Sequence, residues 1–365
     1  MKNKIVTVLF LVIICVLFCA NLLKPAQELS YSERRRLAQL PELTIESLFS
    51  AEYMEGFEKY ASDQFVGREQ FRGVKMFVDR NVMLKSDTNG LFQTGGSIYS
   101  VEYPLREDKV LHMCERMNAL YDRYLQGMNI YLSIVPDKNY YLPDGGKYLK
   151  MDYEKLESLM LENMPDDVRY INVFDMLTAA DYYNSDGHWR QETIKPVVDA
   201  IFDALECDMA FDLAQYEKKD YYPFYGVYYG QLAGMAQPDT IVWLENETTR
   251  DTAITRLGYP GENGIPVYYT DGLGGMDSYD VFLYGAQPLI TLDNPHNNSG
   301  RELIVFRDSF GSSLAPLLLP GYSRITLVDL RYITQELLDE YVEFEDQDVL
   351  LLYSTTIINN SDIIR

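Results

Sequence analysis

"ELIVFRDSFGSSLAPLLL", residues 302–319, joins a short apolar run to a helical pattern through the abrupt turn Arg307-Asp308-Ser309. An unbroken apolar strand with no polar alternation belongs in a sheet covered on both faces, which is the mark of parallel α/β architecture. Two similar runs follow, "SRITLVDLR" (323–331) and "DVLLLYST" (348–355), with the helical "ITQELLDEYVE" (333–343) between them.

The same alternation is present upstream. "NIYLSIVP" (129–136) reads as a buried strand after an amphipathic helix at about 108–126. "DYEKLESLMLENM" (152–164) is helical, "VRYINVFDM" (168–176) reads as the next strand, and "RQETIKPVVDAIFDALE" (190–206) as a helix despite Pro196. Repeated β-α-β units predict a three-layer α/β fold whose mostly parallel sheet holds 129–135, 302–306, 325–329 and 348–353. Residues 207–300, rich in Tyr, Gly and turn signals, interrupt the pattern and read as an insertion outside the main winding. Upstream of the sheet, "NGLFQTGGSIYS" (89–100) predicts a hairpin, and residues 51–84 predict one or two amphipathic helices.

At its start the chain carries Lys2 and Lys4 before "IVTVLFLVIICVLFCANLL", an apolar run from Ile5 to Leu23 long enough to cross a bilayer as a helix. A secretory signal fits the same run, but Phe18 two residues before Ala20 spoils a small-x-small cleavage site, so an uncleaved anchor fits better. The lysine flank places the amino-terminus inside and the body outside the cytoplasm. Residues 24–50 then read as a tether, in which the triplet Arg34-Arg35-Arg36 reads as solvated. Over 365 residues the net charge is −23, which excludes the basic face that nucleic acid requires. Cys114 and Cys207 are the only thiols beyond the apolar run, and they read as isolated buried side chains. Neither the cysteines nor His112, His188 and His296 show metal-ligand spacing, so no cofactor is expected.

In open parallel sheets chemistry gathers at the carboxyl ends of the strands, where Asp137, Asp308-Ser309 and Asp329 fall. A serine at a strand-to-helix turn projects its hydroxyl from the sheet beside the free N–H groups of the helix start. The ordinary reading of such a serine is an N-cap. In "NSDGHWRQE" (184–192), Asp186 and His188 stand two residues apart, so an extended backbone would turn both to one side. Alone, that pair reads as a satisfied loop histidine; with a strand-turn serine in the same chain it reads as acid and base of a serine triad. "DYYPFYGVYYG" (220–230) offers either aromatic platforms for sugar rings or an aromatic core strand.

These motifs together resemble the DHHW family and, more distantly, the SGNH-hydrolase-like proteins of alginate O-acetylation of the AlgX and AlgJ type. The resemblance runs through "SERRRLAQLPELT", "YASDQFVGREQF", "NSDGHW", "FYGVYYGQLA", "YDVFLYG" and "LIVFRDSFGSSLAPLL". It implies an SGNH-hydrolase-like domain over residues 51–365, with Ser309 as nucleophile, His188 as base and Asp186 as its orienting acid. The activity it implies is acyl transfer to, or acyl removal from, a cell-surface polysaccharide. A membrane-bound O-acyltransferase is the implied partner, and an inert glycan-binding or assembly protein of the same fold is the alternative. Trp189, Asn139, Gln287 and Tyr225 are the substrate-side candidates. The chain departs from the pattern at Gly187, where the name-giving motif has histidine, and at Gly285-Ala286, where a glycine-asparagine pair supplies an oxyanion donor. Gln287 or Asn139 would have to substitute there.

Overall fold

The structure is a computed structural model that describes the chain except residues 1, 144, 145, 208, 210, 233–235 and 260–263. It forms two compact units, residues 1–89 with 229–235, and residues 90–228 with 236–365. A domain boundary at residue 51 therefore falls inside the first unit.

The second unit is built on a seven-stranded sheet. Its strands are β1 (Asn129–Val135), β2 (Arg169–Tyr170), β3 (Ala253–Arg256), β4 (Leu289–Asp293), β5 (Glu302–Arg307), β6 (Arg324–Val328) and β7 (Asp348–Ser354), in the order β2-β1-β7-β5-β6-β4-β3. The five from β2 to β6 are parallel. Register explains why no polar alternation is visible in them. Along β1, Tyr131 and Val135 enter one apolar core while Ile130, Leu132 and Ile134 enter the other. Along β7 the same division separates Leu350 and Leu352 from Val349, Leu351 and Tyr353. Each face is covered by helices. The residues of α1 (Glu107–Leu120) and α2 (Tyr153–Glu162) join one core, and those of α3 (Lys195–Ala204) and α4 (Phe310–Leu318) join the other. This is the three-layer α/β arrangement.

Pro196 does not break α3, because it sits in the first turn, where its missing N–H would have had no helical partner. Three expectations need correction. "VRYINVFDM" gives only the two-residue β2, since the chain turns into a short 3-10 segment at Phe174–Met176. "ITQELLDEYVE" is a 3-10 segment, Gln335–Glu340, not an α-helix. The 207–300 stretch is also not wholly outside the sheet. It supplies β4, antiparallel to β6, and β3, antiparallel to β4. It also forms a separate hairpin of Glu217–Phe224 with Asp239–Glu245.

In the first unit, the helix Lys2–Leu23 leaves its apolar side chains exposed and is long and apolar enough to cross a membrane. A short ladder pairs Leu29–Ser30 with Arg35–Arg36, and helices Glu52–Asp63 and Arg68–Asn81 follow. Arg35 of the arginine triplet is not merely solvated. It pairs with Asp63 at 2.6 Å, and this hydrogen-bonded guanidinium holds the Asp63 carboxyl down at about 2.

Candidate active site

Ser309 follows β5 and precedes α4, but its hydroxyl caps nothing. Asp308 caps the helix instead, with Oδ1 accepting from the Phe310 N–H at 3.0 Å and Oδ2 from the Ser354 N–H at 2.8 Å. The N-cap reading of the serine is thereby removed. The Ser309 Oγ lies 2.7 Å from His188 Nε2, and His188 Nδ1 lies 2.6 Å from Asp186 Oδ1. A carboxylate only accepts, so Nδ1 carries the proton, and Nε2 is left to accept from the serine O–H.

Asp186 and His188 do not meet through an extended segment, as their spacing suggested. Residues 183–188 form a closed turn, with Tyr182 bridged to Trp189 and the Tyr183 N–H donating to the His188 carbonyl at 3.1 Å. Asp186 Oδ1 also accepts from the His188 N–H at 3.0 Å. The imidazole stacks on Tyr279, with centroids 4.0 Å apart and planes 16° from parallel, and Phe310 lies against it at 5.1 Å.

The turn is clamped from several sides. Asp239, opening the second strand of the hairpin, accepts from the Asn184 N–H at 2.9 Å and from the Ser185 N–H and O–H at 2.7 and 2.6 Å. The Val227 N–H donates to Asp186 Oδ2 at 2.7 Å, and the Tyr228 N–H to the Ser185 carbonyl at 3.0 Å. Lys138, just after β1, drives its ammonium underneath, donating to the carbonyls of Tyr183 at 2.8 Å and Asp186 at 3.0 Å and to Ser97 Oγ at 3.1 Å. Burial draws this ammonium down to about 7, against the pull of the Asp186 and Asp239 carboxylates. Sequence reasoning missed both Lys138 and Asp239. A lysine is rarely buried, and no local spacing links either residue to the turn.

The glycine of "FYGV" has a steric reason. A Cβ on Gly226 would lie 2.3 Å from the Ser185 carbonyl oxygen and 2.5 Å from Asp186 Cβ. Gly226→Ala must therefore push the acid away from the imidazole. We expect a cost of about 1–3 kcal/mol in thermal or denaturant unfolding. Loss of turnover in any acyl-ester assay should accompany it; unchanged unfolding and turnover would refute the close approach. Gly187 is constrained similarly, since a Cβ there would meet Tyr228 Oη at 2.6 Å. A histidine at 187 requires that tyrosine to move.

The three residues open on a cleft of about 140 Å³, lined also by Glu102, Asp137, Asn139, Val227, Phe310 and Ile357. That volume is well below the roughly 300–1,000 Å³ of a drug-sized ligand site. Asp137 is held away from chemistry by Thr355, Tyr153 and the Asn139 N–H. Asp329 is fully buried and bonded to Arg331 at 2.6 Å.

Of the substrate-side candidates, Asn139 lines the cleft, but its amide nitrogen donates to the Ser100 carbonyl. Gln287 and Tyr225 are not among the lining residues, and the Gln287 amide donates to the Tyr284 carbonyl at 3.0 Å. Trp189 is fully buried, donating to Ser313 Oγ at 2.8 Å with its ring edge-on to Phe310, so it supports the turn and cannot meet substrate. The helix start is less open than expected, because Asp308 occupies the Phe310 N–H. The Ser309 N–H takes no partner among the described residues. Of the other histidines, His112 bonds Ser361 Oγ, and His296 bonds Asp251 on the surface with Glu247 near by. None of these lines the cleft.

Burial and the Asp137 carboxylate push Glu102 up to about 7 from its usual 4.5. Between those values the folded chain holds a proton that the unfolded chain has lost, so stability falls as pH rises from about 4.5 to 7. Glu102→Gln removes that loss. Its gain over the parent should be small at pH 4.5 and grow to on the order of 1–3 kcal/mol above pH 7. A gain independent of pH in melting curves would contradict the assignment.

No protein-family model matches the chain, and no curated protein matches it in sequence. Solved structures do. A DHHW family protein from Eubacterium siraeum superposes with a TM-score of 0.59 at 18% identity, covering 76% of this chain and 99% of that one. PatB1 from Bacillus cereus gives 0.58 at 15% identity, covering 73% and 96%, and PatB1 with a sulfonyl adduct gives 0.57 at 14%, covering 73% and 97%. The second unit's three-layer sheet with its serine turn is thus set in a fold that this chain shares with a DHHW family protein and with PatB1.

Proposed function

We propose that this chain is an extracytoplasmic serine acyltransferase or esterase that handles a short acyl group, acetyl above all, on a cell-surface glycan. The observation that carries this reading is the serine hydroxyl spared from capping and set 2.7 Å from an imidazole whose other nitrogen is held by a carboxylate. In the reaction His188 Nε2 takes the Ser309 proton as Oγ attacks the acyl carbonyl. The Ser309 N–H faces the oxyanion that forms. His188 returns the proton to the leaving oxygen, and the acyl-serine is then opened by a glycan hydroxyl or by water. The helix Lys2–Leu23 serves as membrane anchor, and a membrane-bound O-acyltransferase is the acyl source.

The sulfonyl adduct of PatB1 suggests the test. The full chain is treated with a sulfonyl fluoride and, separately, with p-nitrophenyl acetate. Labelling and turnover that vanish in Ser309→Ala support the enzyme. A second reading, an inert glycan-binding protein, is favoured by one feature: Gln287 does not line the cleft, and the Asn139 amide nitrogen already gives one of its two N–H groups to the Ser100 carbonyl. Absence of both labelling and turnover, with glycan binding retained, selects that reading.

A further inference from the structure

Helix Arg68–Asn81 is amphipathic in the reverse sense of a surface helix. Three of its charged side chains turn inward: Arg68 pairs with Glu33 at 2.5 Å, Arg72 pairs with the same carboxylate at 3.2 Å, and Asp79 is buried with Met76, while Glu69, Lys75 and Arg80 stay exposed. Its apolar side chains turn outward. Phe71, Val74 and Phe77 are 56%, 60% and 58% exposed, and Val78 lies beside them at 38%. Spacings of three and four residues put these four on one stripe. An aqueous surface would carry the charges there instead, and a contiguous exposed apolar stripe of this kind marks a contact with a partner or a membrane.

What covers the stripe follows from where the helix begins. The turn before it is bonded to the end of the apolar Lys2–Leu23 helix. The Val66 N–H donates to Asn21 Oδ1 at 2.8 Å, and Lys24 Nζ to the Gln64 carbonyl at 3.3 Å. Gln64 and Gln27 close a pair of hydrogen bonds at 2.9 and 2.8 Å. Phe65 packs edge-on against Phe71 at 5.7 Å, so the first residue of the stripe adjoins this joint. Asn21 and Lys24 stand where an anchoring helix leaves hydrocarbon for water. A 14-residue helix starting at that boundary is about 21 Å long, too short to span a bilayer. With charges on its other face, its stable position is in the plane of the interface, its apolar stripe in the acyl boundary.

We infer that Arg68–Asn81 lies on the outer leaflet of the membrane, with Phe71, Val74, Phe77 and Val78 buried among the lipid chains. The occupant of the stripe is phospholipid, and the inference rests on the reading of Lys2–Leu23 as an anchor. A second attachment beside the span fixes how the first unit stands on the membrane, where a single helix would let it swivel.

The test uses the full chain reconstituted in phosphatidylcholine vesicles, with and without brominated acyl chains, and the conservative variant Phe77→Trp at an exposed position. The native Trp189 and Trp243 are buried in the second unit and serve as constant background. The expected result is an added, blue-shifted emission that brominated lipid quenches at least twofold. A tryptophan at the exposed Leu161 of α2 should show no such quenching. Vesicle-bound chain with unquenched Phe77→Trp emission overturns the inference and leaves the anchor standing; concentration-dependent emission would then point to a second copy as the occupant. Chain that washes off the vesicles overturns the anchor and the inference together.

Discussion

Ser309→Ala and His188→Ala should each lower turnover of an acyl ester by on the order of 10³–10⁶-fold, and the double variant should be little worse than either. The reason is that, on the proposed reading, the two groups act as one unit. Without the imidazole 2.7 Å away, the hydroxyl keeps its proton at neutral pH and is a poor nucleophile. Without the hydroxyl, the imidazole has nothing to activate but water. Asp186→Asn should cost less than either, because the amide still occupies the position but can present its NH₂ to Nδ1 and so favour the wrong tautomer. The measurement is single-turnover and steady-state kinetics on the four variants. Additive losses in the double variant would mean that Ser309 and His188 serve separate functions, and the triad reading would fall.

How much of the molecule is legible in its sequence depends on whether a feature is local. The strands around 129–135, 302–307, 324–328 and 348–354 are visible because a sheet buried on both faces writes continuous apolar runs into the chain. Ser309, Asp186 and His188 are visible because turn chemistry and a two-residue spacing are also local. The clamps are not. Asp239, Val227 and Lys138 reach the turn at Asn184–Asp186 from 41 to 55 residues away in the chain, the first two from a hairpin whose Tyr-rich sequence reads equally as loop, platform or core, and Lys138 from the end of β1. Nor does the sequence reveal that Asp308 relieves Ser309 of capping. Either residue fits the position, and only the sideways bond from the Ser354 N–H, on the neighbouring strand, favours the carboxylate. The outward stripe of Arg68–Asn81 is legible as amphipathic, but periodicity does not say which face meets protein.

The second large effect belongs to the residue least visible in the sequence. Lys138 is 3% exposed, and its ammonium serves the Tyr183 and Asp186 carbonyls and Ser97 Oγ at once, with the Asn184 carbonyl a further contact at 3.5 Å. Its ring neighbours, Tyr99 at 4.9 Å and Tyr228 at 5.9 Å, close the site around it. Lys138→Met keeps most of the stem and removes the donors. Two buried carbonyls then lose a charged partner, at about 1–3 kcal/mol for each group left unsatisfied. The Asp186 and Asp239 carboxylates also lose the cation that lies beside them. The turn that carries Asp186 and His188 must relax toward other donors. A displacement near 1 Å at such a site costs on the order of 10²-fold in rate. The expected result is a loss of about 2–5 kcal/mol in denaturant unfolding together with a drop in kcat larger than any change in KM. Lys138→Arg should not rescue it, because the planar guanidinium cannot occupy the space of a compact ammonium closed in by two rings and a turn. Wild-type unfolding and wild-type kcat in Lys138→Met would show that the turn holds Asp186 and His188 in register without the buried cation.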